Sequence, residues 1–403
     1  MADRKKLLVI GNGMAAMRLL EELDARGADG FDITVVGAEA RAAYNRILLS
    51  PLLAGEMGWE DVCLKPDHWY AERAIRLVLG DAAVALDPAA RLVTLASGRV
   101  LAFDACVLAT GSAPIRLPIP GNGLHGVRTF RDVADVDAMT GAVAGGAPAV
   151  VIGGGLLGIE AAYGLARRGV AVTLIHIMDR LMERQLDAEA AGLLRKAIEA
   201  KGITVLLEAQ TAEIVGETHV EAVRLKDGRT LPCGLVVMAA GVRPEASLAK
   251  AAGLGVERGV LVDDSLATSH ADIYAIGECV QHRGACYGLV QPAYEQAAIL
   301  ARVLGGEMCG YPGTVVATNL KVSGVPVFSA GDFEGEGGEH IIYRDGALPA
   351  YRKLVLRDGR LVGAVLYGDT ADSLWYLELI REGRPVRDIR PFLAFGQAYA
   401  EAA

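Results

Sequence analysis

The sequence predicts an α/β protein built from two strand–turn–helix nucleotide-binding folds, the second inserted in the first, with an α+β segment at the C-terminus. Three observations carry this expectation. Residues 7–16, LLVIGNGMAA, run from a short apolar strand through Gly11, Asn12 and Gly13 into an apolar segment of helical period. The same pattern recurs at 149–175 as AVVIGGGLLGIEAAYGLARRGVAVTLI, and from about Thr314 the chain changes to alternating strands.

Each element has a local reason. In the first copy the apolar run 7–10 reads as a buried parallel strand, 14–26 as a helix and 31–36 as the next strand. Gly11 permits the tight turn. Gly13, with Asn12, Met14 and Ala15 beside it, lets backbone N–H groups approach a pyrophosphate at the positive helix end, and Ala16 keeps the helix close to its strand. Glu39 follows at the distance where such Rossmann-like folds place a carboxylate for a ribose hydroxyl. Taken alone, the glycine turn is also compatible with an ordinary strand-to-helix connection. A strand over 105–109 ends on Thr110 and Gly111, and the following GSAPIRLPIPG is too proline-rich for a helix or a central strand.

In the second copy Gly153, Gly155 and Gly158 complete the fingerprint, 156–168 reads as a helix, and Gly169 stops it before a strand over 170–175. A hairpin over 223–231 turns on Asp227-Gly228, and a strand over 235–239 runs into Ala240, Gly241 and Pro244, matching the earlier strand that ends on Thr110-Gly111. TSHADIYAIGE, 268–278, ends a short strand on Gly277 and Glu278, and Pro292 reads as the first residue of a helix that continues over 293–304. The expected division is therefore 1–120 and 245–313 for the first nucleotide domain, 121–244 for the inserted one, and 314–403 for the C-terminal α+β domain. That last segment carries a hairpin at Asp358-Gly359 and an amphipathic helix over 371–382, and EGEGGE at 334–339 reads as a solvated acidic loop.

Bulk properties exclude several classes. The 403 residues are 52% hydrophobic and carry a net charge of -9, which argues against nucleic acid or an anionic membrane surface as partner. The uncharged run 138–159 contains Pro148 and seven glycines and is no membrane span. The N-terminal apolar run is cut short by Gly11, so no signal core is read and the cytoplasm is the expected location. Six cysteines without a paired framework suit a reducing compartment.

Two fingerprints, the strand ending on Ala-Thr-Gly and TSHADIYAIGE together resemble the flavoprotein pyridine-nucleotide oxidoreductases of glutathione-reductase type. The resemblance implies FAD at the first fingerprint, NAD(P)H at the second, and a ribityl-binding carboxylate at Glu278, where aspartate is commoner in that family. More narrowly, AYNRILLS, LMERQLD, DIYAIGECV, NLKVSGVPVFSAGD and GAVLYGD are similar to the flavin-bearing N-terminal half of assimilatory NAD(P)H nitrite reductase and to the electron-transfer subunit of assimilatory nitrate reductase. The first of these continues into iron–sulfur and sirohaem modules, so nitrite reduction by this polypeptide alone is not expected.

The resemblance assigns further roles. It implies that Arg46 lies along FAD, where a guanidinium suits a pyrophosphate or stacks on adenine, with a plain surface arginine as the alternative. It places the backbone of Val84 at the adenine, although a core valine would read the same. It aims the helix N-terminus at Pro292 toward the flavin pyrimidine ring, where its partial positive charge favours the anionic reduced form. Glu160 matches a carboxylate beside the nicotinamide that pairs with a lysine in related ferredoxin reductases. Here Pro51 stands at the lysine's position, so Glu160 either positions the carboxamide or is an ordinary helix residue.

No Cys-x-x-Cys exists and 41–53 holds no cysteine, so electrons are expected to leave FAD directly rather than through a thiol. Cys279, His282 and Cys286 lack a fourth ligand and read as free buried thiols and a polar loop histidine rather than a metal site. His176 occupies the strand end where NADH-strict enzymes hold an acid. NADH is thus expected with only modest preference over NADPH, His176 donating to the ribose and Arg180 or Arg184 near enough for a phosphate. The expected partner is the catalytic subunit of nitrate reductase, otherwise rubredoxin or ferredoxin. An oxidase, or an NADH-sensitive flavin-binding regulator, stands behind these. The apolar tail PFLAFGQAYAEAA is read as a docking surface, as packing on its own domain or as a homodimer contact.

Overall fold

The computed structural model describes residues 4–27 and 30–402. In chain order, the elements that position the two fingerprints are β1 (Lys5–Ile10), α1 (Met14–Ala25), β2 (Phe31–Gly37), β3 (Arg76–Leu79), β4 (Ala105–Leu108), β5 (Ala149–Ile152), α2 (Leu156–Arg167), β6 (Val172–Ile175), α3 (Ala188–Glu199), β7 (Leu235–Met238), β8 (Ile273–Ala275) and α4 (Val290–Leu304). The C-terminal segment adds β9 (Ala317–Val322), β10 (Val325–Gly331), β11 (Glu339–Asp345), β12 (Ala350–Arg357), β13 (Arg360–Tyr367) and α5 (Ser373–Glu382).

Among the described residues the chain divides into two compact units. The first joins the residues up to Leu49 with Met57–Pro114 and Val242–Thr314; the second joins Ser50–Glu56, Ile115–Gly241 and the residues from Val315 onward. The segment after residue 314, read from the sequence as a domain of its own, thus shares a unit with the inserted fold.

The first unit is organised on a parallel sheet in the order β8-β4-β1-β2-β3. β1 reads as an unbroken apolar run because both its faces are covered. Leu7 and Val9 enter the cluster with Met17, Leu20, Ala297 and Leu300 of α1 and α4, whereas Leu8 and Ile10 enter the cluster on the opposite face with Leu95, Phe103 and Val280. The proline-rich stretch after Gly111 supplies only Ser112–Pro114, paired antiparallel with Val242–Pro244 in a two-stranded sheet. That suits a segment with too few N–H donors for a central strand.

In the second unit the parallel sheet runs Thr204–Leu206, β6, β5, β7, Val127–Thr129. The C-terminal segment folds as an antiparallel sheet in the order β9-β10-β13-β12-β11, with α5 packed on it through Trp375, Tyr376 and Leu379. Asp358 and Gly359 both take positive φ, 52° and 72°, as the tight hairpin from β12 to β13 requires. The tail packs on its own sheet: Leu393 and Ala400 are buried with α5, and Arg352 donates to the Ala394 carbonyl at 3.0 Å. Of the acidic loop at 334–339, Glu334 pairs with Arg180 and Glu339 with Arg390. No helix among the described residues is long and apolar enough to cross a membrane.

One element starts earlier than its proline suggests. The helix begins at Val290, not at Pro292, which sits in its first turn. The first four N–H groups of a helix have no intrahelical partner, so a proline there removes no ladder bond and need not mark the first residue.

Candidate functional site

The two glycine turns are built alike, each from contacts that exclude a side chain. Gly11 has φ +110°, and a Cβ on it would lie 2.1 Å from the Ala109 carbonyl oxygen; Gly153 has φ +125°, and its Cβ would lie 2.2 Å from that of Ala239. The N–H of Gly11 donates to Val36 and that of Gly153 to Ile175, at 2.8 and 2.9 Å. Both helices then start on a glycine N-cap without a side-chain cap, Gly13 and Gly155, and a Cβ at either would meet open space. A helix N-terminus whose N–H groups face an open glycine is a ready anion cradle. The copies differ five residues after the first glycine. The Ala16 methyl is accommodated and fully buried, whereas a Cβ on Gly158 would fall 1.8 Å from the Gly153 carbonyl oxygen.

In the first unit the structure gathers most of the expected residues around this cradle. The strand end closes over it as Gly11 meets Ala109 and Thr110; Thr110 donates through Oγ1 to the Glu245 carbonyl at 2.6 Å, and Gly111 has φ +73°. A Cβ on Gly277 would lie 3.0 Å from Ala15 and 3.9 Å from Ala293, so the first turns of α1 and α4 converge on that glycine, with Pro292 buried beside it. Glu278 follows, half-buried, accepting from the Ser112 hydroxyl at 2.7 Å. Two polar residues missed by sequence reasoning belong here. Ser112 lies 166 residues before Glu278 in the chain, and Gln296 is fully buried, its Oε1 accepting the Gly277 N–H at 2.7 Å. A glutamine at the buried position of an apolar helix is the signal that points to it.

Glu39 accepts from the Tyr44 hydroxyl at 2.7 Å and pairs with Arg46, whose guanidinium lies 4.9 Å from the Tyr44 ring centroid. Arg46 is therefore tied to Glu39 and the Tyr44 ring. Val84 is 55% exposed on the strand Ala83–Asp87, which removes the core reading; it lies outside the hydrogen-bonded group around the glycine turn.

The second unit holds Gly153, Gly155, Gly158, Glu160 and His176 around its own turn, while Gly241, at φ +102°, accepts the Ile115 N–H at 2.9 Å where the chain leaves the unit. Burial pushes the Glu160 carboxyl up to about 7. The Ser50 hydroxyl reaches the Glu160 backbone carbonyl, and a Cβ on Gly164 would meet Leu53 at 2.9 Å, so the short helix Leu49–Ala54 that carries Pro51 packs against α2.

His176 departs from the sequence expectation that it donates to a ribose. It is buried, its Nδ1 accepts the Gly154 N–H at 3.0 Å, and its Nε2 lies 3.0 Å from Glu183. Both ring nitrogens are engaged inside the protein. Arg180 reaches Glu334 at 2.8 Å. Gly154, unassigned in the sequence reading, is required because a Cβ there would lie 2.6 Å from the His176 ring.

All six cysteines are free thiols, and burial pushes those of Cys106, Cys233 and Cys279 up. Of the Cys279, His282 and Cys286 group, His282 bonds Asp264 through Nε2 at 2.9 Å and the Cys279 thiol donates to backbone carbonyls.

A family model described as pyridine nucleotide-disulphide oxidoreductase matches residues 5–297, and one described as rubredoxin NAD+ reductase C-terminal domain matches 317–384. The chain belongs to the pyridine nucleotide-disulphide oxidoreductase family. It is 46% identical to a nitrite reductase [NAD(P)H] of Bacillus subtilis, over 94% of this chain and 47% of that protein. It is 40% identical to the assimilatory nitrate reductase electron transfer subunit of the same organism, over 95% of this chain and 50% of that one. It thus spans about half the length of these relatives. The fold matches putidaredoxin reductase in its covalent complex with putidaredoxin, with a TM-score of 0.86 at 26% identity over 94% of each chain. Family membership implies FAD and NAD(P)H as cofactors, and the residues fit them: two uncapped glycine cradles stand in two units, and at the first the buried Asn12 side-chain amide has neither nitrogen nor oxygen bonded within the protein.

Proposed function

We propose that the chain is an FAD-dependent NAD(P)H:acceptor oxidoreductase that draws electrons from NADH and delivers them to a separate redox protein of assimilatory nitrate or nitrite reduction. The observation that carries this reading is the presence in one chain of two uncapped glycine-turn helices, with Glu278 directly after the Gly277 on which α1 and α4 converge.

Bound FAD supplies a hydride acceptor that releases electrons singly. The rest is the work of this chain's residues. The first-turn N–H groups of α1 would hold the pyrophosphate, Glu39 would accept from ribose hydroxyls with Arg46 neutralising the charge nearby, and Glu278 would accept from the ribityl chain. The N-terminus of α4, with its partial positive charge, would favour a reduced flavin bound beside Gly277. Glu160, its carboxyl pushed up to about 7, offers the nicotinamide carboxamide a group that accepts or donates near neutrality. Hydride transfer needs no protein acid or base, so alignment is the protein's main contribution. Buried thiols with raised pKa are poor relays, which supports direct release of electrons to the acceptor.

The names of the two Bacillus subtilis relatives support the nitrate or nitrite pathway. A second reading, a rubredoxin or ferredoxin reductase, is favoured by the family match over 317–384 and by the likeness to putidaredoxin reductase. Reconstitution separates them. The purified flavoprotein, NADH, nitrate and the nitrate reductase catalytic subunit from the same cell should form nitrite, with none formed when either protein is left out. Efficient reduction of rubredoxin or ferredoxin with nitrate reductase inert would transfer the assignment to the second reading. Reduction by NADH without turnover on any acceptor, ferricyanide included, would overturn both in favour of a regulatory flavoprotein.

A further inference from the structure

The strand end that usually carries the ribose-binding acid carries His176 here, yet a carboxylate stands next to it. The parallel register sets Ile175 beside Ile152, so His176 lies alongside the start of the glycine turn. The turn then grips the following loop from both sides of one residue. Gly154 donates its N–H to His176 Nδ1 at 3.0 Å, and its carbonyl accepts the N–H of Met182 at 3.0 Å. Met182 takes φ +51°, a left-handed conformation unusual for a side-chain-bearing residue, and Leu181 beside it is fully buried against Gly154. This backbone places Glu183, seven residues after His176, with its carboxylate 3.0 Å from Nε2 and still 23% exposed.

The tautomer follows from these bonds. Because Nδ1 accepts from a backbone N–H, the imidazole proton sits on Nε2 and is donated to Glu183. His176 is thus a positioning residue that ties the Glu183 carboxylate to the strand end beside the turn. One Glu183 oxygen is taken by the imidazole, and a carboxylate has lone pairs to spare for a sugar hydroxyl. Of the two arginines read as near enough for a phosphate, Arg180 is engaged by the carboxylate of Glu334 at 2.8 Å, and Arg184 is exposed.

We propose that Glu183, held by His176, is the residue that sets nucleotide preference, accepting a hydrogen bond from the adenosine ribose of NADH and repelling the 2′-phosphate of NADPH. This rests on the second fingerprint being the NAD(P)H site. On this proposal NADH is clearly preferred, whereas a histidine at the strand end by itself implies only a modest preference.

The test is the ratio of kcat/KM for NADH and NADPH with ferricyanide as acceptor, on the holoprotein with its flavin content measured. Glu183→Gln keeps an acceptor and removes the charge, so it should raise kcat/KM for NADPH and shift the NADPH-to-NADH ratio of kcat/KM by about tenfold. Glu183→Asp, which keeps the charge, should retain the preference. A ratio unchanged in Glu183→Gln, or both values falling together, would overturn the proposal by showing that the carboxylate only supports the loop. Failure of both nucleotides to reduce the flavin of the unsubstituted protein would overturn the nucleotide-site reading beneath it, a different outcome from an unchanged ratio.

Discussion

Replacing Glu160 by glutamine should change how the stability of this protein depends on pH. Burial in the second unit raises its carboxyl from 4.5 to about 7. A group whose folded pKa lies above its unfolded one stabilises the fold fully below the unfolded value, and that contribution is lost as pH rises through the folded value. The window is therefore from about pH 4.5 to about pH 7, with no further change above it. At about 1.4 kcal/mol per pKa unit the full shift amounts to about 3 kcal/mol. Glutamine has nearly the same shape and cannot ionise, so the unsubstituted protein should lose about 3 kcal/mol relative to Glu160→Gln between pH 4.5 and pH 8. For a chain of this size that is a relative shift in melting temperature of roughly 4 °C. Thermal unfolding of both proteins at matched flavin content across this range, with the variant's curve subtracted, isolates the term because all other titrating groups are common to both. Melting temperatures that run parallel from pH 4.5 to pH 8 would refute the argument, since the carboxyl would then titrate alike in the folded and unfolded chain.

Three other outcomes are expected. Arg46→Ala and Glu278→Ala should each lower the flavin content of the purified protein, read from its visible absorbance, because each removes a group from the first cradle; full retention by both would displace FAD from this site. Gly158→Ala should lower stability by more than about 2 kcal/mol in denaturant unfolding, because its Cβ would fall 1.8 Å from a backbone oxygen, whereas Ala16→Gly at the matching position should cost about 1 kcal/mol. Substituting all six cysteines with serine or alanine should leave NADH-driven ferricyanide reduction largely intact once flavin content is matched; loss of turnover would put a thiol on the electron path.

The amino-acid sequence alone determined the two nucleotide folds, because the signals for them are local. A buried strand, a glycine turn and a helix lie within a few residues of one another, and the geometry that forbids a Cβ at Gly11 or Gly153 is met by any chain that makes this turn. The hairpin at Asp358-Gly359 was legible for the same reason. Tertiary structure decided the partners. Ser112 meets Glu278 across 166 residues, and Gln296 reaches back from α4 to Gly277, pairings that no periodicity encodes. It also decided which acid reaches the histidine at the second strand end. A histidine at the strand end implied the absence of a carboxylate, but Gly154 binds the next loop through both its N–H and its carbonyl and so delivers Glu183 to that histidine. A hydrogen bond depends on where two atoms lie in space, and the chain between them leaves that position open until the loop is packed.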